Sequence, residues 1–120
     1  MSNFFTGVDI VDVDRIKSSI EKYQDKFLGK VFSVDEQSYC NSKHISYIHY
    51  SGKFAAKEAV IKSLLSCGEK EQLSFVSITI INDRNGAPKV FIKGVKKDNI
   101  KISISHTSRQ AIAFAILDNG

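Results

Sequence analysis

The chain has 120 residues, of which 42% are hydrophobic and 25% charged, a balance that excludes a disordered or collagen-like protein. Lysine and arginine outnumber aspartate and glutamate by 17 to 13, giving a net charge of +4 that favours anionic partners without naming them. No stretch approaches the roughly 20 apolar residues of a membrane span, no export signal is visible, and Cys40 and Cys67 fit no metal-binding spacing. We expect one soluble, cytoplasmic domain over residues 1–120, with free thiols.

The first elements are a strand and an amphipathic helix. Residues 4–11 predict a strand that places Asp9 on a partly apolar face. Apolar residues then recur at spacings of three and four, which predicts a helix. We expect Asp12 to cap this helix and Gly29 to end it in the left-handed conformation.

Two further helices follow. Ser33 and Glu36 have the spacing of a capping box, which predicts a short helix to about Cys40 and a structural role for Glu36. A longer helix is expected over residues 46–66, closed near Gly68.

The C-terminal part predicts two hairpins. Residues 75–81 and 89–92 flank a turn that contains Gly86, and residues 100–104 and 111–117 alternate in the same way. The element order predicts an α+β fold in which an antiparallel sheet packs against the long helix, and the N-terminal strand must join that sheet or pair elsewhere.

An acid and a base stand in the middle of the long helix. At about 100° per residue, Glu58 projects between Phe54 and Leu65, and Lys57 projects beside Leu64. A charge among apolar neighbours is costly unless it has a partner. A metal ion, an ion pair or an anionic ligand is therefore expected there.

Asp9 and Glu58 are candidate ligands for a divalent cation. Two carboxylates, with water and substrate oxygens, suit Mg²⁺. The alternatives are a helix cap for Asp9 and an ion pair with Lys62, four residues along, for Glu58.

Basic residues near Glu58 and in the last hairpin suit phosphate binding. Lys53, Lys57 and Lys62 surround Glu58 along the helix, although solvated lysines are a common alternative. His106 follows an apolar stripe, so it is either a core histidine or a proton acceptor or phosphate contact. We assign no role to His44 or His49.

Four sequence blocks together resemble holo-acyl-carrier-protein synthases, the small 4′-phosphopantetheinyl transferases, over nearly the whole chain. These blocks are Gly7-Val8-Asp9-Ile10 with Arg15-Ile16, Phe54-Ala55-Ala56-Lys57-Glu58-Ala59, Gly86-Ala87-Pro88, and Ser103-Ile104-Ser105-His106-Thr107.

The resemblance implies a reaction and a cofactor. The 4′-phosphopantetheine arm of coenzyme A would pass to a serine of an apo acyl carrier protein, as in fatty acid biosynthesis, and adenosine 3′,5′-bisphosphate would leave. It also implies Mg²⁺ held by Asp9 and Glu58, the residues that match the ligands of the family.

The resemblance further assigns residues to coenzyme A. It places Lys57 and Lys62 on its phosphates, gives Lys62 a share in proton transfer, and lines the nucleotide site with His106 and Thr107. Lys53 stands where the family usually has arginine, which keeps the charge and loses the bidentate geometry.

The resemblance also implies partners. Arg15 and the first helix, with Lys22, resemble the basic surface that docks an acidic carrier protein, although the face is also explained as a solvated one. Family members are typically homotrimers with active sites between subunits.

Two other functions stay open at this point. Residues 64–69 depart from a glycine-rich stretch of the family, which leaves room for a coenzyme A-binding relative without transferase activity. The net charge permits nucleic-acid binding, but no basic run indicates it.

Overall fold

The computed structural model describes residues 3–120, and Met1 and Ser2 of the predicted 1–120 domain lie outside the described residues. Within the described part, one strand is followed by four α-helices and then by five strands. They are β1 (Phe4–Asp12), α1 (Val13–Tyr23), α2 (Asp25–Val31), α3 (Val34–Asn41), α4 (Ser46–Cys67), β2 (Ile78–Asn82), β3 (Pro88–Ile92), β4 (Val95–Lys96), β5 (Ile100–His106) and β6 (Gln110–Asp118). None of the helices described is long and apolar enough to cross a membrane.

The strands form two antiparallel sheets of three strands each, in the orders β1-β6-β5 and β2-β3-β4. The N-terminal strand joins the last hairpin, with Asp9 opposite Ala113. Helix α4 packs against β1, β5 and β6 and also against β2. The predicted α+β fold with a long helix on an antiparallel sheet is confirmed.

Gly7 allows β1 to lie unusually close to α4. A Cβ atom at Gly7 would lie 2.0 Å from the Ala59 carbonyl oxygen and 2.8 Å from the Ser63 nitrogen, so any side chain would force the two elements apart. The close approach brings Asp9, two residues further along the same face of β1, against the middle of α4.

The first helix is shorter than predicted. Gln24 has a φ of 49° and its N–H donates to the Ile20 carbonyl, which ends α1. Gly29 lies inside α2 and does not end a helix, so that prediction is wrong. The apolar spacing missed the break because Phe27 of α2 packs against the same core. Asp12 is the N-cap residue of α1, but its carboxylate accepts a hydrogen bond from the Gln110 side chain instead of capping.

The other local predictions are confirmed. Ser33 and Glu36 form the capping box of α3, and Gly68 ends α4 with a φ of 98°. The turn between β2 and β3 contains Gly86 at a φ of 86°. The two-residue strand β4 was not predicted.

Candidate active site

Asp9 and Glu58 line one pocket of about 360 Å³, which we call the carboxylate pocket. Asp9 comes from β1 and Glu58 from α4, so the fold brings together two acids that are 49 positions apart in the sequence. Arg15 of α1 lines the same pocket. The remaining lining residues are Ile10, Val11, Ile16, Ser19, Phe27 and Phe54.

The two acids affect each other electrostatically. Burial raises the pKa of Glu58, the negative charge of Asp9 raises it further, and Lys62 opposes the shift. Asp9 is itself only 17% exposed. An additional cation in this pocket would therefore relieve the repulsion between like charges.

Lys62 is anchored at the rim of the carboxylate pocket. Its ammonium donates to the Val8 carbonyl over 3.0 Å and to Asp9 Oδ1 over 3.3 Å. The alternative of an ion pair between Lys62 and Glu58 is therefore wrong for the described residues, because the close approach of β1 offers Asp9 to this ammonium instead. The Lys62 side chain is 50% exposed, so it stays accessible to a ligand.

A second pocket, the histidine pocket, lies beside the first half of α4. His106 is exposed at the end of β5, and its ring centroid lies 6.1 Å from that of His49. The alternative of a core histidine is therefore wrong. The full set of lining residues is Tyr39, Ile48, His49, Gly52, Lys53, Asn82, Gly86, Pro88, Ile104 and His106.

Lys53 forms part of the histidine pocket from a buried position. Its ammonium donates to the Ile80 carbonyl over 2.7 Å and to Asn82 Oδ1 over 2.8 Å, and it lies 4.5 Å from the centroid of the Tyr39 ring. Burial lowers its pKa. The charge is thus held at the pocket wall by the protein itself.

Thr107 follows His106 and shapes the turn between β5 and β6. Its hydroxyl oxygen accepts hydrogen bonds from the backbone N–H groups of Arg109 and Gln110, each over 3.1 Å. These contacts use the oxygen as acceptor and leave the hydroxyl hydrogen for another partner.

Lys57 lies in neither pocket. Its buried position disagrees with the predicted contact with coenzyme A phosphates. The side chain has no exposed surface, and its ammonium lies 2.7 Å from Glu36 Oε1. It also donates to the carbonyls of Val31 and Phe75. All three ammonium hydrogens are therefore used inside the chain.

His49 is the residue that the sequence analysis missed. It lies four positions before Lys53, a spacing that puts both side chains on one face of α4. This spacing could have placed His49 beside the predicted phosphate-binding lysine. Burial lowers the pKa of His49, as do His106, Lys43 and Lys53.

The two predicted partner-binding residues occupy different surroundings. Arg15 lines the carboxylate pocket. Lys22 is exposed in the last turn of α1, with its ammonium 5.2 Å from the centroid of the Tyr23 ring.

Metal binding at the carboxylate pocket would need further ligands in addition to the protein side chains. No group of three or more His, Cys, Asp or Glu side chains that could hold a metal ion occurs within residues 3–120. A pair of carboxylates is nevertheless the donor set that Mg²⁺ uses when waters and phosphate oxygens complete its shell. The residues present therefore fit this cation.

The amino-acid sequence is similar to a protein family and to named relatives. The family model described as the 4′-phosphopantetheinyl transferase superfamily matches residues 6–115. The chain is 40% identical over 115 residues to the holo-[acyl-carrier-protein] synthase of Protochlamydia amoebophila, covering 92% of this chain and 93% of the relative. It is 44% identical over 111 residues to that of Thermodesulfovibrio yellowstonii, covering 92% and 95%.

A solved structure agrees with these matches. The Helicobacter pylori holo-[acyl-carrier-protein] synthase in complex with coenzyme A aligns with a TM-score of 0.78 and 31% identity, covering 93% of this chain and 98% of that one. The chain belongs to the 4′-phosphopantetheinyl transferase superfamily. The predicted family, enzyme class and fold are confirmed.

Proposed function

We propose that the protein transfers the 4′-phosphopantetheine group of coenzyme A to a serine of an apo acyl carrier protein, with Mg²⁺ as cofactor. The observation that carries the proposal is the pairing of Asp9 and Glu58 in one pocket, with the pKa of Glu58 raised by burial and by Asp9. The similarity to proteins named holo-[acyl-carrier-protein] synthase supports the choice of substrates.

Asp9 and Glu58 are the residues proposed to hold the cation. When bound, Mg²⁺ supplies positive charge against the diphosphate of coenzyme A. Lys62, anchored by Val8 and Asp9 at the rim, adds a second positive charge there. Both charges favour a transition state in which negative charge builds on the departing nucleotide.

The reaction itself moves one phosphoryl group. The serine oxygen forms a bond to the phosphorus that carries the pantetheine arm, and the bond from that phosphorus to the bridging diphosphate oxygen breaks. Adenosine 3′,5′-bisphosphate leaves with the bonding electrons. A carboxylate oxygen of the pair that does not hold the cation would accept the serine proton, and Lys62 is placed to assist proton transfer.

The histidine pocket is the proposed nucleotide site. His106 and Lys53 line it. Thr107 follows His106 in the sequence, and its hydroxyl hydrogen is available to a ligand. Cationic and hydrogen-bonding groups of this kind suit the phosphates of adenosine 3′,5′-bisphosphate.

The lining of the two pockets supports a proposal about subunit assembly. The carboxylate and histidine pockets share no lining residue, so one coenzyme A molecule would use both most readily if a neighbouring copy supplied one of them. The solvent side of β1 and β6 offers an apolar surface for that neighbour, which we call the open sheet face. Its exposed members are Phe4, Val8, Ile10, Ile112 and Phe114. We propose a homotrimer assembled through this face.

Carrier-protein docking is assigned to the first helix. Arg15 at the carboxylate pocket and Lys22 further along α1 provide positive charge beside the proposed reaction centre. An acidic carrier protein would be guided to this face by charge complementarity. The expected cytoplasmic location stays a prediction.

Mass spectrometry tests the proposed activity directly. Apo carrier proteins of several types are incubated with coenzyme A and Mg²⁺, and the expected result is a mass increase equal to one phosphopantetheine group. Binding of coenzyme A without a mass increase on any carrier would refute transfer and favour a coenzyme A-binding relative.

Assembly is tested separately by light scattering coupled to size exclusion. Phe114→Asp should convert a trimer to a smaller species, because it places a charge on the open sheet face. Val34→Asp, an exposed apolar position on α3 outside the open sheet face, is the matched control. A monomeric wild type would contradict the proposed assembly.

A further inference from the structure

Three charged side chains are buried within residues 3–120, namely Glu36, Lys53 and Lys57, and we call them the buried clamp. Burying a charge is costly unless its hydrogen-bonding capacity is met. No buried side-chain nitrogen or oxygen of the described residues lacks a partner. The question is therefore what this costly arrangement holds in place.

The buried clamp holds the free edge of β2. The order β2-β3-β4 leaves β2 with one unpaired edge. On that edge the Ile80 N–H donates to Glu36 Oε2 over 2.8 Å, and the Ile80 carbonyl accepts from the Lys53 ammonium over 2.7 Å. A carboxylate and an ammonium thus take the place of the missing neighbour strand.

Lys57 fixes the carboxylate of the clamp. Glu36 Oε1 accepts from Lys57 over 2.7 Å and from the Ser33 N–H over 2.9 Å, while Oε2 faces Ile80. Lys57 in turn is tied to the end of α2 and to the turn before β2 through the carbonyls of Val31 and Phe75. Glu36 is therefore held in one orientation by Lys57 of α4 and by the Ser33 N–H at the start of α3, in addition to its contact with β2.

The clamp extends to the wall of the histidine pocket. The Lys53 ammonium donates to Asn82 Oδ1 over 2.8 Å, and Asn82 Nδ2 donates to the Gly86 carbonyl over 3.1 Å. Asn82 and Gly86 line the histidine pocket together with His106. A chain of hydrogen bonds thus runs from Glu36 through Ile80 and Lys53 to the pocket wall.

We infer that Lys57 and Glu36 are positioning residues for nucleotide binding: they fix the edge of β2, and through Lys53 they fix the Asn82 wall of the histidine pocket, without touching the ligand. The inference rests on the proposed function only for the identity of the nucleotide. It gives Lys57 a role different from the phosphate contact that the sequence resemblance implies.

Two substitutions separate positioning from contact. Lys57→Met removes the ammonium with little change in volume. Glu36→Gln keeps the shape but can present only one amide oxygen, so either Lys57 or the Ile80 N–H faces an NH₂ group. The matched control is Lys93→Met, which breaks an exposed lysine–carboxylate pair with Glu71 at 2.6 Å.

Calorimetric binding of adenosine 3′,5′-bisphosphate is the first measurement. Both clamp variants should raise its Kd by a similar factor of about 10, and the double variant should be no worse than the weaker-binding single variant, as expected for residues that act as one unit. The Mg²⁺ concentration for half-maximal transfer should not change, and Lys93→Met should bind normally. If Lys57→Met weakens binding while Glu36→Gln binds normally, Lys57 touches the phosphate and the inference fails.

Hydrogen exchange is the second measurement, and its result on the wild-type protein does not depend on any variant folding. The Ile80 amide should be protected like a paired strand amide, and Glu36→Gln should lower that protection at least about tenfold. Rapid exchange of Ile80 in the wild type would overturn the inference. Neither nucleotide binding nor hydrogen exchange requires transfer, and only the Mg²⁺ dependence does, so a failure of the proposed activity would be seen separately in the mass assay.

Discussion

Helix α4 contributes two lysine–carboxylate pairs with opposite environments. Lys57 and Glu36 lie 2.7 Å apart with no exposed side-chain surface, whereas Lys62 and Asp9 lie 3.3 Å apart and the lysine is half exposed. The first pair has all its hydrogen bonds satisfied inside the chain. The second lies beside another acid, Glu58, whose charge is disfavoured. Burial with complete pairing therefore marks a structural pair, and partial exposure beside an uncompensated charge marks the candidate site.

The largest expected effect is loss of transfer on removing either acid of the carboxylate pocket. Asp9→Ala and Glu58→Ala should each lower the rate about 100-fold or more, because a cation ligand worth several kcal/mol of transition-state stabilisation is lost. The folded structure should persist by circular dichroism. Asp98→Ala, which removes an exposed acid 3.6 Å from Lys96, is the matched control for transfer.

Activity at limiting Mg²⁺ is the decisive condition for this prediction. Full transfer by Asp9→Ala or Glu58→Ala under that condition would show that the acid in question is not a ligand. The half-exposed pair of Lys62 and Asp9 would then not mark a cation site.

The next effect is on stability and contrasts the two lysines directly. Lys57→Met leaves Glu36 as a buried charge that lacks its ion-pair partner and should lower the free energy of unfolding by about 3–5 kcal/mol. Lys62→Met breaks a half-exposed pair and should cost about 0–1 kcal/mol. Urea unfolding measures both. Equal losses would mean that burial does not distinguish the pairs.

Gly7 tests how the carboxylate pocket is assembled. Gly7→Ala places a methyl group against the Ala59 carbonyl and should lower the free energy of unfolding by about 1–3 kcal/mol, because β1 must shift. Transfer should fall too, since Asp9 moves with β1. Gly29→Ala is the matched control: nothing lies within 4 Å of its Cβ position in α2, so helix propensity should raise stability by about 0.5–1 kcal/mol.

Unchanged stability and activity in Gly7→Ala would show that β1 and α4 can separate without cost. The position of Asp9 would then not depend on their close approach.

Much of the fold was predictable because its signals are local. The capping box at Ser33, the left-handed Gly68 and the alternation in both hairpins each depend on a few adjacent residues. The break at Gln24 was not predictable, since a single residue of positive φ leaves the apolar spacing around it intact.

The candidate site was predictable in composition but not in geometry. The apolar surroundings of Glu58 and Asp9 indicated two engaged acids, and both line one pocket. The same reasoning could not distinguish the buried Lys57 from Lys53 and Lys62. The position of each ammonium depends on partners such as Glu36 and Val8, which are more than 20 positions away in the sequence. Long-range pairing of this kind carries no signal in local spacing.

The smallest expected effect concerns the charge of Glu58. Its pKa in the folded state is raised above the ordinary 4.5. Between the unfolded-state and folded-state pKa values the folded state therefore binds more protons than the unfolded state. The free energy of unfolding falls as the pH rises from 4.5 through the folded-state pKa. Glu58→Gln should therefore melt at the same temperature as wild type near pH 4 and slightly higher at pH 7, by at most about 3 °C because solvent screens the group. Added Mg²⁺ should reverse the order at pH 7, because only the wild type keeps both carboxylates for the cation. If Glu58→Gln melts below wild type without Mg²⁺, the repulsion between Glu58 and Asp9 is not the dominant interaction of this acid.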